Sequence, residues 1–327
     1  MIYAKLMGGL GGQMFIYAIG RKLAQMYNTE LKMDLRLVLD EKSLIANFSS
    51  KQVTFRKYEL DIFNIKKNIA TEDELIAIEK EYKEYPYTDN KNIKRILSRL
   101  RRYFNIYLIK KKSIIRENKI GGITTEINIH KFPDNIYLDG YWNHYKYFND
   151  IEGKLRKEFT FKNVLPEELK PIKILIAQNN SVSINVRRGD YVTAKHAYNI
   201  IGYLPLEYYQ DAAKYISTKV KNPVFFIFSD DIGWCKENIK LKQKHYFIEN
   251  DYGDQKYEYD IRLISLCKHN VISNSGFAWW GAWLNSNPDK VVITPEKWFK
   301  NQTLQQAHEK DYFVPTKWIK IPNDLKP

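Results

Sequence analysis

The stretch Ser183–Tyr191 reads SINVRRGDY and decides the fold class, because an apolar strand ends there in two arginines, a glycine and an aspartate. Apolar segments of strand length recur on both sides of it, as SVSINV, VFFIFS, HYFI, NVIS and KVVIT. Helical segments separate them near 205–215, around 257–268 and from 275 onward. Apolar strands without polar alternation are typical of a parallel sheet covered on both faces, so the second half is predicted to be α/β.

The first residues follow the same alternation. IYAKLM predicts a buried strand, ELKMDL predicts the next strand, and the helix between them places Phe15, Ile19, Leu23 and Met26 on one face. The segment 161–177, FKNVLPEELKPIKILIA, carries two prolines and interrupts the pattern. A chain of 327 residues fits two domains. We therefore predict two Rossmann-like domains facing a cleft, residues 1–165 and 166–327.

The bulk composition excludes several classes of protein. With 44% hydrophobic and 14% aromatic residues the chain is not disordered, and no apolar run is long enough to span a membrane. The first strand runs directly into a glycine-rich turn, which leaves no room for a signal peptide, so we expect a cytoplasmic protein. Cys235 and Cys267 stand outside any metal-ligand spacing and are predicted to be buried thiols.

The net charge of +14 favours an anionic partner. Residues 94–116 form a basic insertion with nine Lys and Arg and no acidic residue, interleaved with Tyr and Phe. Two interpretations remain open: a solvated helix whose apolar face packs on the domain, or adsorption to the anionic inner face of the membrane. Nucleic acid is not expected as a partner, because the chain has no helix-turn-helix, RNP or zinc pattern.

Three segments suit a phosphate ligand. The loop MGGLGGQMF sets four glycines between a strand and a helix, where backbone N–H groups can approach a ligand, although a purely structural turn is the alternative. The arginines of SINVRRGDY follow a strand, where open α/β sheets bind ligands, and their planar fork suits a pyrophosphate. A surface Arg–Asp pair is the alternative there.

The third segment, SNSGFAWWGAWL at 273–284, opens a helix with Asn274 or Ser275 as its N-cap. Free N–H groups on Ser275, Gly276 and Phe277 make an anion site that the helix dipole reinforces. The tryptophans of this segment are predicted to be core, with a sugar-stacking surface as the alternative. Together the three segments indicate an enzyme that uses a nucleotide-sugar donor.

No metal site is expected. No Asp-x-Asp pair stands where it would hold a divalent ion on a diphosphate, and the adjacent Asp230 and Asp231 follow a strand as a helix cap would. Arginines and helix N-termini can stabilise a leaving diphosphate without a metal.

These segments resemble the α-1,2-fucosyltransferases, glycosyltransferase family 11. That family pairs Gly-Gly-Leu-Gly-Asn-Gln-Leu-Phe with His-x-Arg-Arg-Gly-Asp-Tyr and an Asn-Ser-Ser/Thr-Phe-Ser-Trp-Trp-Gly-Ala-Trp-Leu block. The likeness covers most of the chain and includes RKYELDIF at 56–63, LDGYWNHYKYF at 138–148, LPLEYYQDA at 204–212 and CKHNVISNS at 267–275. The chain departs from the family pattern at Asn185 in place of His, Gly12 in place of Asn, and Gly276 in place of Ser or Thr. Asn185 keeps an amide donor but cannot titrate.

The resemblance implies a GT-B fold, with a C-terminal domain that holds GDP-β-L-fucose and an N-terminal domain that receives an oligosaccharide acceptor, lipid-linked if the enzyme works at the membrane. It implies no metal or other cofactor and inversion to an α-1,2 product, in surface polysaccharide or O-antigen assembly. Arg187 and Arg188 would contact the diphosphate. The implied donor-binding residues are Gly9, Gly11, Asn185, Asp260, Asn274, Ser275, Gly276 and Phe277, with Asp260 reading the guanine edge.

Inversion calls for a base that removes the acceptor proton. Asp190 is the candidate because it is the only carboxylate inside the arginine motif. Two alternatives stay open: Asp190 orients Arg187 or Arg188 by a salt bridge, or the diphosphate itself takes the proton. A transferase for another GDP-sugar and a catalytically silent carbohydrate-binding protein are the competing functions, and the retained Arg187, Arg188 and Asp190 argue against the silent one.

Overall fold

The computed structural model describes residues 1–39, 56–83, 114–116, 135–249, 253, 256–310 and 313–325. Most of the basic insertion at 94–116 lies outside these ranges, so its membrane contact stays a prediction. Among the helices of the described ranges, none combines the length and the apolar character needed to cross a membrane. Cys235 and Cys267 are free and buried, as predicted.

The first half is built on a four-stranded parallel sheet with the order β2-β1-β4-β3. Its strands are β1 Ile2–Lys5, β2 Leu31–Asp34, β3 Ile114–Arg116 and β4 Ile136–Asp139. Its helices are α1 Leu10–Met26, α2 Arg36–Leu39, α3 Glu72–Lys83 and α4 Glu152–Glu158, with short 3₁₀ helices at Leu60–Ile62, Tyr145–Tyr147 and Asn149–Ile151. On α1 the predicted face is buried at Phe15, Ile19 and Leu23, whereas Met26, the last residue of the helix, is 38% exposed.

The second half is built on a six-stranded parallel sheet with the order β10-β9-β8-β5-β6-β7. Its strands are β5 Asn180–Val186, β6 Pro223–Ser229, β7 His245–Phe247, β8 His269–Val271, β9 Val292–Pro295 and β10 Ile319–Ile321. Its helices are α5 Lys170–Gln178, α6 Gly189–Thr193, α7 Lys195–Ile200, α8 Leu206–Lys219, α9 Ile232–Asn238, α10 Lys256–Leu266, α11 Gly276–Leu284 and α12 Gln302–Lys310, after a 3₁₀ helix at Glu167–Leu169.

The prediction of an α/β protein of the GT-B type, with two Rossmann-like halves, is confirmed. All five predicted strands of the second half are present, and β10 is a sixth that the sequence did not indicate. The chain passes from one sheet to the other between β4 and β5, and a domain boundary at residue 165 stays a prediction. Strands β6 and β7 lie on one side of β5, and β8 to β10 lie on the other. The strand order therefore reverses between β5 and β8, and open α/β sheets bind ligands outside the carboxyl ends at such a point.

Helix α11 joins the two halves. It belongs to the second half by sequence, yet Trp279, Trp280 and Trp283 are at most 3% exposed and lie in the same apolar cluster as the core of the first half. The Trp280 ring lies 5.0 Å from that of Phe15 and stacks on that of Phe148 at 5.5 Å. The interpretation of these tryptophans as core is thus correct, and the core they complete spans both halves.

Candidate functional site

The carboxyl ends of β1 and β5 face each other across the junction of the two halves. Residues 8–12 follow β1 and open α1, the arginine motif follows β5, and residues 272–277 follow β8. Because β5 and β8 are neighbours at the reversal of strand order, the two phosphate-suited segments of the second half lie side by side. This edge is therefore the candidate site.

Arg187 lies at that edge between two carboxylates. Its NH2 is 2.5 Å from Asp190 Oδ1, and its NH1 is 2.8 Å from Asp230 Oδ2. Burial raises the pKa of the neighbouring Tyr191 to about 12, so its hydroxyl stays protonated and donates to the backbone oxygen of Asn274 at 3.4 Å. These contacts fix the direction of the Arg187 guanidinium, which has five N–H donors in all.

Arg188 packs inside the second half instead. Its Nε donates to Asp231 Oδ2 at 3.0 Å, and its guanidinium lies 3.9 Å from the Trp234 ring centre and 5.4 Å from that of Tyr203. Asp231 also caps α9 by accepting from the backbone N of Trp234 at 3.2 Å, as predicted. Of the two arginines, Arg187 is the one that faces the first half.

The start of α11 packs against the glycine loop of the first half. Ser275 is the N-cap, but its side chain makes no cap hydrogen bond. A Cβ added to Gly11 would lie 2.4 Å from the carbonyl carbon of Gly276 and 2.5 Å from the backbone N of Phe277. Packing of the two helices thus requires a glycine at 11, and donor contacts by Gly11, Ser275, Gly276 and Phe277 stay a prediction.

Two asparagines of the predicted donor site are buried and bonded. Asn185 Oδ1 accepts from the hydroxyl of Ser273 at 2.7 Å, which ties the end of β5 to the end of β8. Asn274 Nδ2 donates to the backbone oxygens of Gly202 at 3.0 Å and Trp298 at 3.1 Å. Both side chains hold loops of the site together.

Asp260 lies on α10 and is 8% exposed. The same helix begins at Lys256, whose Nζ donates to the backbone oxygen of Ser229 at the carboxyl end of β6, at 3.2 Å. Asp260 therefore lies one helical turn after a residue whose side chain contacts the carboxyl end of β6. Its contact with a guanine stays a prediction.

The glycine loop of the first half supports an exposed aromatic ring. Gly8 has φ +73°, a conformation that favours glycine, and Gly9 is the N-cap of α1. Added Cβ atoms on Gly8 and Gly12 would meet the Tyr141 ring at 3.0 Å and 3.3 Å. Tyr141 is 44% exposed and belongs to the LDGYWNHYKYF block, in which nothing indicates that its ring covers the loop.

The RKYELDIF segment brings two charged residues, Arg56 and Glu59, to the site. The sequence alone assigns neither of them a role. Gln13 holds this segment against the glycine loop, since its Nε2 donates to the backbone oxygens of Gly8 and Lys57, both at 2.8 Å, and its Oε1 accepts from the backbone N of Glu59 at 2.9 Å. The Glu59 carboxylate accepts the backbone N–H of Leu10, and burial raises the pKa of Glu59. The signal for this segment in the sequence is its likeness to one of the family blocks.

Asp190 is held from both halves. One carboxylate oxygen pairs with Arg187 and the other with Arg56 NH2 at 3.1 Å. The salt bridge by which Asp190 could orient Arg187 is thus present. A role for Asp190 as a base stays a prediction. Within the described part of the chain, no three His, Cys, Asp or Glu side chains are grouped as metal ligands would be.

His144, near the glycine loop, gives a prediction on stability. Burial, with the nearby Lys146, lowers the pKa of His144 from 6.5 to about 4. Between these two pH values the unfolded chain binds a proton at His144 that the folded chain does not. The contribution of this group to the free energy of unfolding is therefore fully present above pH 6.5 and is lost as the pH drops towards 4. The loss should reach on the order of 3 kcal/mol. Urea unfolding at pH 7.5 and pH 5 should show a smaller pH effect in His144→Gln than in the wild type, whereas equal effects would contradict the assignment.

The known proteins that this chain resembles are all glycosyltransferases in the comparisons that follow. The family model "Glycosyl transferase family 11" matches residues 1–322. The chain is 31% identical to an α-1,2-colitosyltransferase of Escherichia coli over 98% of this chain and 99% of that protein. It is 33% identical to the O-antigen biosynthesis glycosyltransferase WbnK of Escherichia coli, over 91% of this chain and 95% of that protein. It is 24% identical to the galactoside α-(1,2)-fucosyltransferase 1 of Homo sapiens, over 62% of this chain and 59% of that protein. This chain therefore belongs to glycosyl transferase family 11.

Proposed function

We propose that this glycosyltransferase moves L-fucose from GDP-β-L-fucose to a sugar hydroxyl with inversion, without a metal ion, and forms an α-1,2 linkage in O-antigen assembly. The relatives named for α-1,2 transfer and for O-antigen biosynthesis support the linkage and the setting. The human relative named as an α-(1,2)-fucosyltransferase supports the sugar.

The observation that carries the proposal is the position of Arg187. It stands at the reversal of strand order, beside the start of α11, with its guanidinium directed by Asp190 and Asp230. Negative charge that develops on a leaving diphosphate would be stabilised by the charge-assisted hydrogen bonds of this arginine and by the helix dipole. Both act from the second half, where the donor would bind.

A second donor is favoured by one specific observation, since the α-1,2-colitosyltransferase matches nearly the whole chain. Colitose is fucose without its 3-hydroxyl, so the two donors differ by one polar group. A site that hydrogen-bonds this hydroxyl would reject GDP-colitose strongly, whereas a site that merely leaves room for it would accept both.

A donor panel tests the proposal. GDP binding is measured by calorimetry, and transfer to galactose-terminated acceptors is measured with GDP-fucose, GDP-colitose and GDP-mannose, all in excess chelator. We expect GDP to bind and GDP-fucose to give the highest kcat/KM. A higher kcat/KM with GDP-colitose would show that colitose is the donor sugar and would leave the assignment as a glycosyltransferase unchanged. Absence of GDP binding would refute the proposal, and activity that needs added magnesium or manganese would refute its metal-free part.

A further inference from the structure

Glu59 is a partly buried carboxylate at the junction of the two halves. Its Oε2 lies 3.7 Å from the position of a Cβ on Gly9, and it accepts the N–H of Leu10 at the start of α1. The cations that act on it are Arg56, from its own segment, and Arg187, from the second half. Glu59 therefore belongs to the first half but faces the arginine motif.

Inverting transfer constrains where a base can stand. The acceptor oxygen attacks the anomeric carbon from the face opposite the leaving diphosphate, so the base lies on the acceptor side. Asp190 is attached to the same loop as Arg187, on the diphosphate side, and each of its oxygens already pairs with a guanidinium. Its place suits the orientation of Arg187 and does not suit removal of the acceptor proton.

We propose that Glu59 takes the proton of the acceptor hydroxyl, an inference that rests on the proposed function. The acceptor oxygen forms its bond to the anomeric carbon while the O–H proton passes to the Glu59 carboxylate. The bond from the anomeric carbon to the β-phosphate oxygen breaks, and its electron pair leaves on GDP. Arg187 stabilises that charge from the opposite side, and Asp190 and Arg56 position Arg187.

The surroundings of Glu59 suit this role. The groups that face it are the N–H of Leu10 and the guanidinium groups of Arg56 and Arg187, with Asp190 beyond Arg56. Burial outweighs these favourable partners and raises the pKa of Glu59 above its usual value. A carboxylate with a raised pKa is a stronger base, because it holds an accepted proton more tightly.

Glu59→Gln tests the inference because its amide oxygen still accepts the N–H of Leu10. We expect transfer kcat/KM to fall by about 10²–10⁴-fold, with GDP affinity unchanged. The acid limb of the pH profile should also disappear in this variant. Azide in place of the sugar acceptor needs no deprotonation, so formation of the glycosyl azide should persist at the wild-type rate. Glu30→Gln, the same change at an exposed carboxylate of the same half that pairs with Lys66, serves as the matched control.

The outcomes separate the two proposals. Wild-type protein that transfers sugar from a GDP-sugar, together with an equally active Glu59→Gln, would overturn the role of Glu59 alone. Loss of azide reactivity or of GDP affinity in step with transfer would show a structural role and overturn it as well. A larger loss of transfer in Asp190→Asn, with GDP affinity and azide reactivity intact, would return the base to Asp190. Wild-type protein that binds no GDP would overturn both proposals.

Discussion

Replacing Arg187 with alanine is expected to lower kcat by about 10²–10³-fold, the loss seen when one donor to a developing negative charge is removed. The reason lies in the contacts of the arginine. Asp190 and Asp230 hold its two terminal nitrogens, so the guanidinium would meet a diphosphate already oriented. Asp190 would keep Arg56 as its partner, but Asp230 would lose its arginine beside an anionic donor, so GDP affinity should fall as well.

Arg187→Lys should restore activity only in part, because a lysine has a single nitrogen and cannot pair with both aspartates and the diphosphate. Steady-state kinetics and calorimetry with GDP measure the two effects. Lys66→Ala, which removes an exposed partner of Glu30, is the control for loss of a positive charge. Turnover at the wild-type rate in Arg187→Ala would contradict the placement of the diphosphate.

Gly11→Ala is expected to destabilise the protein by about 1–3 kcal/mol and to reduce activity with it. The added methyl would lie 2.4 Å from the backbone of Gly276, and backbone cannot yield as a flexible side chain can. Relief requires α1 and α11 to move apart. That shift would stretch the hydrogen bond of 3.1 Å from Trp280 Nε1 to the backbone oxygen of Gly11.

Gly153→Ala provides the control, since it is also a helical glycine of the first half but has no atom within 4 Å of its added Cβ. Its stability should be unchanged or slightly higher. Urea unfolding of both variants, followed by transfer assays, measures the difference. Equal stability of Gly11→Ala and the wild type would show that the helices can separate at no cost.

Much of the fold could be predicted because it depends on local patterns. Short apolar runs such as VFFIFS favour buried strands, and the caps at Asp231 and Ser275 follow from the residue types that begin helices. The different directions of Arg187 and Arg188 depend instead on their partners, which are Asp190 and Asp230 for the first and Asp231 for the second.

The rest of the site depends on contacts between distant segments. Arg56 and Asp190 are 134 positions apart, and nothing in either motif indicates that they form an ion pair. The placement of Glu59 likewise follows from Gln13, which binds the RKYELDIF segment to the glycine loop. Local periodicity carries no information on such pairings, so the sequence indicated the segments that meet at the candidate site but not the ion pairs between them.

The packing of α11 into the first half has a consequence for how this enzyme can be re-engineered. A chimera that took its first half from one relative and its second half from another would set a foreign α11 against Phe15, Phe148 and Phe159. A mismatch there would leave voids or clashes under the site itself. Exchange of acceptor preference between relatives therefore requires that α1 and α11 be transferred as a pair, although most of the chain separates them.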